Sequence, residues 1–357
     1  MFPTFLRLLK LLNVPLRPFP MRVTQYQVQT GDVYLMPPFH GLRLFPEGFA
    51  PRKIADLLRF QSLVRATAPI MRDRDRSITT QQFLDSLGVP EDFLDRFLYP
   101  FLQAGWGVSL EEIKTFMVYD IFRYSYLNTS VMFIPYGWKE IDGGTQTYVR
   151  AISAAYQNIR VKMGAGIRSV HAVDGGYAVE DARGQTEVFD TIVLATNANQ
   201  AAAILAGLPG SEAVRQLLNR ITYFETTIAL HGDQRLMPAQ RKHWSTVNIR
   251  YDGKFSQIST WKHGDSGTPI FKSWVTHDEH LPDQLYAVTK YLHPRVDADY
   301  FQAQAELQAY QGKANIWLAG MYMQDVDCHE SAILSAVRVA QALAPQSARL
   351  KQLKVKG

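Results

Sequence analysis

A single cysteine, Cys328, leaves this 357-residue chain no way to close an intramolecular disulfide. It fits a reducing, cytoplasmic compartment and excludes a zinc or iron–sulfur site built from several thiolates of this chain. No run approaches the roughly 18 apolar residues of a membrane span. The opening MFPTFLRLLKLLNVPL carries Arg7 and Lys10 inside its apolar run and lacks a small-residue cleavage site, so it does not read as a signal peptide. Charge is close to balanced, at +5, with part of the excess in a tail at Lys351, Lys354 and Lys356. No basic face with interleaved aromatics accompanies it, and no nucleic-acid partner is expected. There is no internal repeat, no low-complexity segment and no GxGxxG. The nearest approach, Gly164-Ala165-Gly166, lacks the third glycine and runs into a strand-like segment, so it reads as a turn.

What is present is an ordinary globular composition, 46% hydrophobic and 20% charged, long enough for two modest domains or one two-lobed one. The front of the chain is helical. A helix near 3–13 puts Phe5, Leu8, Leu9 and Leu12 on one face, which either packs on the domain or leans on a membrane surface. Strand-like runs at 22–28 and 33–35 precede helical periods at 52–70, 79–87, 91–104 and 109–128. Thr79 and Thr80 with Gln82 form a capping start, and Gly88-Val89-Pro90 a stop. Phe93, Phe97 and Phe101, four residues apart, read first as core and second as a cofactor box.

Beyond residue 131 the pattern alternates. Gly143-Gly144 precede a helix at about 146–157. Strand-like runs follow at 159–163, 167–173 and 177–180, with Asp174-Gly175-Gly176 as a hairpin turn. The apolar run 189–196 has the character of a strand buried on both faces, followed by Asn197 and a helix at 200–205. Between 222 and 292 strand signals dominate: 226–231, 247–251 and 255–261, the last pairing with 271–275 across His263-Gly264-Asp265-Ser266-Gly267. This alternation predicts a sheet domain assembled from separated segments and interleaved with a second, partly antiparallel domain.

Two segments carry chemistry. A short strand at 316–319 ends at Gly320, and after a polar loop a helix opens at His329-Glu330-Ser331. Strand, glycine and helix start together aim backbone N–H groups at something electron-rich. In residues 137–149, GWKEIDGGTQTYV, paired glycines precede a helix that Thr145 would cap. That is either a flexible lead-in or a close-approach cradle. The order and residue types of these segments resemble the flavin-containing amine oxidase family, above all its bacterial branch of predicted NAD/FAD-binding proteins. Trp138, Lys139, both glycines, Tyr148 and Val149 fall on the pattern. So do Ile167 and Val170, the 189–196 run with Asn197, His293-Pro294, the helix start at 302–307 and the closing 316–344 segment. The resemblance covers about 130–345 well and the helical front loosely.

The resemblance implies an α/β, two-domain FAD-dependent oxidase-like fold. Residues 1–135 would form the helical part of a substrate domain and 221–300 its antiparallel sheet. Residues 136–220 and 301–345 would be FAD-domain segments, with 346–357 a basic tail. FAD would be held by Gly143, Gly144, Thr145, Ile167, Thr196, Asn197, Gly320, Met321, His329, Glu330, Ser331 and Ala332. The implied reaction is hydride removal from a C–N or C–C bond of a small, apolar substrate, and no proton-abstracting base is identified. The departures are specific. The family opens with a strand, a GxGxxG turn, a helix and a ribose-binding acid. Here MFPTFLRLLKLLNVPL resembles the segment that follows that unit, so an incomplete Rossmann-type domain is expected. Gly320-Met321 and Glu330-Ser331 stand where relatives carry Gly-Glu or Gly-Ala and Glu-Gly. The rival expectation is a flavin-free remnant, or half of a split flavoprotein, acting as a binding or structural partner. Apolar surface left where the missing strand and helix belonged would call for a homo-oligomer or an upstream partner chain, and peripheral membrane contact through the first helix is compatible with the enzyme reading. Trp261, Trp274, Tyr251 and Tyr286 read as sheet packing or as a substrate pocket. Asp327 with His329, or His277, Asp278 and His280, have metal-ligand spacing but lack further ligands, so no metal is expected.

Overall fold

The computed structural model describes residues 2–19, 21–36, 39–40, 43–128, 137–156, 158–262, 269–325 and 328–353. The chain crosses four times between two compact units. One comprises Met1–Pro18, Lys139–Thr222 and Pro294–Gly357; the other comprises Phe19–Trp138 and Tyr223–His293. The first 18 residues thus join the segments from the middle and end of the chain, not the helical front.

The second unit is built on a seven-stranded sheet. Its order is Leu285–Pro294, Tyr223–His231, Ile270–Trp274, Ser256–Lys262, Val247–Tyr251, Val23–Gln27 and Val33–Leu35. The expected pairing is present, with Ser259 opposite Ser273 and Trp261 opposite Phe271, while its turn at 263–267 lies outside the described residues. Strand Val247–Tyr251 pairs in parallel with Val23–Gln27. The helical run from Glu91 to Trp106 contains one π turn, Leu94–Leu98. A π turn leaves carbonyls without their usual partners. Gln25, reaching from the sheet, donates its amide to Arg96 O and Phe97 O at 3.2 and 3.1 Å. Phe93 and Phe97 are fully buried and stacked at 5.2 Å, with Phe101 stacked on Phe97, so the aromatic stripe is core. The period expected at 109–128 breaks at Phe116, whose backbone is extended, because Thr80 takes Phe116 O with both its amide and its hydroxyl. The Thr79–Gln82 capping box forms as its spacing predicts.

The first unit holds a parallel strand pair, Ile192–Leu194 with Ile316–Leu318, and a three-stranded antiparallel meander, Ile167–Val173, Gly176–Asp181 and Thr186–Phe189. Its helices include Pro3–Leu11, Thr145–Ala155 and His329–Leu343. Two strand expectations are corrected. The run 189–196 is not one strand buried on both faces: Thr186–Phe189 closes the meander, and in Ile192–Leu194 the middle residue, Val193, is 44% exposed. Residues 159–163 form no strand. Arg160 and Lys162 both ion-pair with Glu187 of the meander, which leaves Ile159, Val161 and Met163 exposed. Period-two alternation is present there, but no neighbouring strand accepts it.

The amphipathic face of Pro3–Leu11 turns inward. Leu9 is buried and the helix packs on His329–Leu343, while Leu6 and Leu11 face solvent. Among the described residues no helix is long and apolar enough to cross a membrane.

Candidate functional site

The candidate site lies within the first unit, at the C-terminal ends of its parallel strands. The ladder continues past the strands through Ala319 N–H to Leu194 O, 2.9 Å, which sets Thr196 and Gly320 side by side. Gly320 has φ +149°, and a Cβ there would meet the Tyr322 ring at 2.8 Å and stand 3.5 Å from Thr196 O. Only glycine occupies that conformation without strain. The Gly320 amide donates to Ser335 Oγ at 2.8 Å, and Ser335 Oγ–H donates to Ala332 O at 2.7 Å. The strand end is thereby pinned to the opening turns of His329–Leu343. Met321 begins a short 3₁₀ turn, and Asn197 N–H meets Gln200 Oε1 at the start of the next helix. Ligand sites of parallel α/β sheets collect at strand ends of this kind.

Three helix starts converge beside it. The His329 ring contacts Phe5 at 4.4 Å and Tyr148 at 5.9 Å, and Phe5 meets Tyr148 at 5.4 Å between ring centres. These rings belong to the first turns of His329–Leu343, Pro3–Leu11 and Thr145–Ala155. Partial desolvation pushes the His329 pKa below its ordinary value against the opposing pull of Glu330, although the residue keeps an exposed edge. Gly143 and Gly144, at φ +73° and +80°, turn the chain from strand Lys139–Ile141 into Thr145–Ala155. That helix has no side-chain cap. Among the described residues the amides of Thr145 and Gln146 meet no acceptor, so the turn presents two N–H groups to whatever lies at its mouth.

The Glu330 carboxylate is committed elsewhere. Its two oxygens accept Thr4 N–H at 2.8 Å and Phe5 N–H at 3.0 Å, and the residue is only 6% exposed. It caps Pro3–Leu11, so anything it offers a ligand comes from its backbone. Ser331 is buried, with Oγ 3.2 Å from Cys328 Sγ, and Ala332 N–H closes the first helical turn on Cys328 O. The structure therefore brings together Thr196, Gly320 and the 329–332 turn, with Tyr148 tying in the Gly143–Thr145 turn. Ile167 stands in the meander, 42% exposed, and is not among the residues brought together. Sequence reasoning missed Ser335 and Thr4. A serine one turn inside an apolar helix was the available signal for the first; nothing local signals the second.

The second unit holds a buried histidine whose hydrogen bonds settle its role. Asp233 N–H donates to His231 Nδ1 at 3.1 Å, so Nε2 carries the proton and donates to Ser273 Oγ at 2.8 Å; Ser273 in turn donates to Ser259 Oγ at 2.7 Å. An imidazole that donates to a serine cannot take its proton, which excludes a Ser–His hydrolase reading of this trio. Burial lowers the pKa of His231 and of His243. The unfolded chain therefore binds these protons more readily. Stability is intact above the unfolded value of about 6.5 and falls as pH drops through it toward the lower folded values. Thermal unfolding scanned from pH 8 to pH 5 should show this acid-side loss, and His231→Gln should flatten it; a slope unchanged in that variant would dismiss His231 as its source.

The remaining sequence candidates are structural. Asp278 accepts from Arg250 and Gln257, and His277 stacks on Phe255 at 3.7 Å with Nε2 2.9 Å from Gly107 O. Among the described residues no three potential ligands gather for a metal, and Asp327 lies outside them. Trp261 packs with Met237, Trp244 and Phe271, Trp274 lies against Gly107 and stacks on His293, and Tyr286 is exposed.

A parallel strand pair whose ends meet a glycine turn and a helix start, in one of two units threaded by the same chain, makes this a mixed α/β protein. Residues 2–287 match the family described as flavin containing amine oxidoreductase, and the chain belongs to that family. Its cofactor is FAD and its fold is that of a flavin oxidoreductase. Among solved structures it is similar to a CLA-producing fatty acid isomerase from P. acnes, with TM-score 0.64 and 14% identity over 95% of this chain and 84% of that one. Cyclohexylamine oxidase from Brevibacterium oxydans IH-35A gives 0.57 and 14%, over 99% and 86%. Reduced UDP-galactopyranose mutase gives 0.58 and 12%, over 99% and 85%. No curated protein gives a significant sequence match.

Proposed function

We propose that this chain is an FAD-dependent oxidoreductase of amine oxidase or desaturase type, removing a hydride from a C–N or C–C bond of a small, apolar substrate. The observation that carries the reading is the uncapped Gly143-Gly144 turn, whose two amides at Thr145 and Gln146 lack acceptors, tied through Tyr148 and His329 to the helix start beside Gly320. These residues fit the group: a left-handed turn without side chains, bare amides and helix N-termini suit an electron-rich, phosphate-bearing ligand. When bound, FAD would supply the hydride acceptor and pass electrons onward. The protein's part would be to hold and exclude. The Thr145 and Gln146 amides would donate to anionic oxygens, and the start of His329–Leu343 would favour negative charge beside it. Gly320 would permit close approach. The His329 ring, packed edge-on against Phe5 and Tyr148, would hold the three helix starts together beside it.

A second reading, that the chain is half of a split flavoprotein and needs a partner chain to complete the cofactor site, is favoured by the exposed apolar groups of the first unit. Ile159, Val161 and Met163 are 60%, 62% and 81% exposed, and helix Thr145–Ala155 buries no residue at all despite its apolar stripe. One experiment separates the two. The visible spectrum of the purified protein is recorded before and after incubation with FAD and desalting. A flavin band that survives desalting supports the enzyme. No band in either case rejects it in favour of the partner reading.

A further inference from the structure

Acidic residues are distributed unevenly along this chain. Residues 1–31, 143–173 and 331–357 contain no aspartate or glutamate, although the chain carries 33 of them. The fold gathers most of these stretches into the first unit. Helix Pro3–Leu11 packs on His329–Leu343 and on a short helix, Ala348–Leu353, with the Arg7 guanidinium donating to Leu353 O at 3.1 Å. From that short helix Arg349 donates to Ala155 O at 3.3 Å and lies over the Tyr156 ring at 4.5 Å, which ties in the end of Thr145–Ala155. Three adjoining helices thus carry Arg7, Lys10, Arg150, Arg349 and Lys351 and no acidic side chain. Glu330, against the start of the first of them, is buried and spent on the Thr4 and Phe5 amides.

The outward stripe of Pro3–Leu11 is Pro3, Leu6, Arg7, Lys10 and Leu11, at helical spacings of three and four, and all five are exposed. A helix that only packs on its own unit turns charged and polar residues outward. Here two leucines, 47% and 41% exposed, stand between two cations. Leu343, at the end of the helix on which this one packs, is 48% exposed. We propose that this face docks on an anionic phospholipid surface, with Leu6 and Leu11 entering the headgroup region and Arg7, Lys10, Arg349 and Lys351 meeting lipid phosphates. A bilayer offers negative charge above an apolar layer, and leucines interleaved with cations match both. A nucleic acid duplex offers the charge without the apolar layer. The long arginine and lysine stems let the charged heads stay among phosphates while the leucines go deeper. The lipid-facing residues are therefore not those of the Leu9 side, which packing consumes, but the stripe opposite it.

The test is flotation of the full chain with vesicles of phosphatidylcholine alone and with about a third of phosphatidylglycerol added. The mixed vesicles should bind at least about tenfold more tightly. Lys10→Glu should weaken that binding by at least about tenfold, whereas Lys254→Glu, the same charge change on an exposed lysine of the second unit, should not. Leu6→Gln combined with Leu11→Gln should weaken it by a similar factor, because the apolar contact is lost with the charges intact. All these positions are exposed, and circular dichroism would verify the fold. Equal binding to both vesicles, binding to neither, equal loss in the two lysine variants, or full binding by the leucine variant would overturn the proposal. So would a DNA duplex held as tightly as the mixed vesicles, which would reassign the face to nucleic acid.

Discussion

Gly143→Val should abolish flavin retention while leaving the chain folded. The position has φ +73°, and a Cβ would stand 2.8 Å from Thr147 Oγ1, the hydroxyl that donates to Asp142 O at 3.0 Å and closes the turn. A left-handed conformation costs an ordinary residue roughly 1–2 kcal/mol, and a β-branched one more. The chain escapes that strain by re-forming the turn, which withdraws the amides of Thr145 and Gln146. Each charge-assisted hydrogen bond lost from an anionic ligand costs about 1.5–3 kcal/mol, so two amount to a hundredfold or more in affinity. The flavin-to-protein absorbance ratio after desalting is the measurement, with circular dichroism as the fold control. Unchanged occupancy would remove this turn from the site. Gly143→Ala should lie between, since it meets the same φ with a smaller side chain.

The second large effect is on stability. Glu330→Ala should destabilise the first unit by about 3 kcal/mol, the order expected for two hydrogen bonds to a buried carboxylate. Thr4 is itself buried, so its amide cannot simply turn to water. Glu330→Gln keeps one carbonyl oxygen for one of the two amides and should lose about half as much. Urea unfolding of the three proteins reads this order directly. If all three unfold alike, the packing of Leu9 and not the carboxylate holds the first helix. If Glu330→Gln is stable yet loses flavin, the residue does more than cap.

Much of the local structure was legible because its causes are local. The Thr79–Gln82 box, the meander with its Gly175 turn, the Phe93–Phe97–Phe101 stripe and the strand–Gly320–helix order each depend on residues a few positions apart. The two places where strand reading failed have one cause. Alternation at 159–163 and apolarity at 189–196 describe what a strand would bury, not whether a neighbour exists to bury it.

By itself, then, the sequence determined the class of fold, the family and the glycine turns, because period, caps and left-handed positions are written in neighbouring residues. Only the tertiary structure decided what the charged and polar groups do. Glu330 meets Thr4 across 326 positions of chain. His231 finds Ser273 across 42, which fixes its proton and excludes a Ser–His hydrolase reading. A side chain's hydrogen-bond partner depends on which distant backbone the fold sets beside it, and no local pattern encodes that.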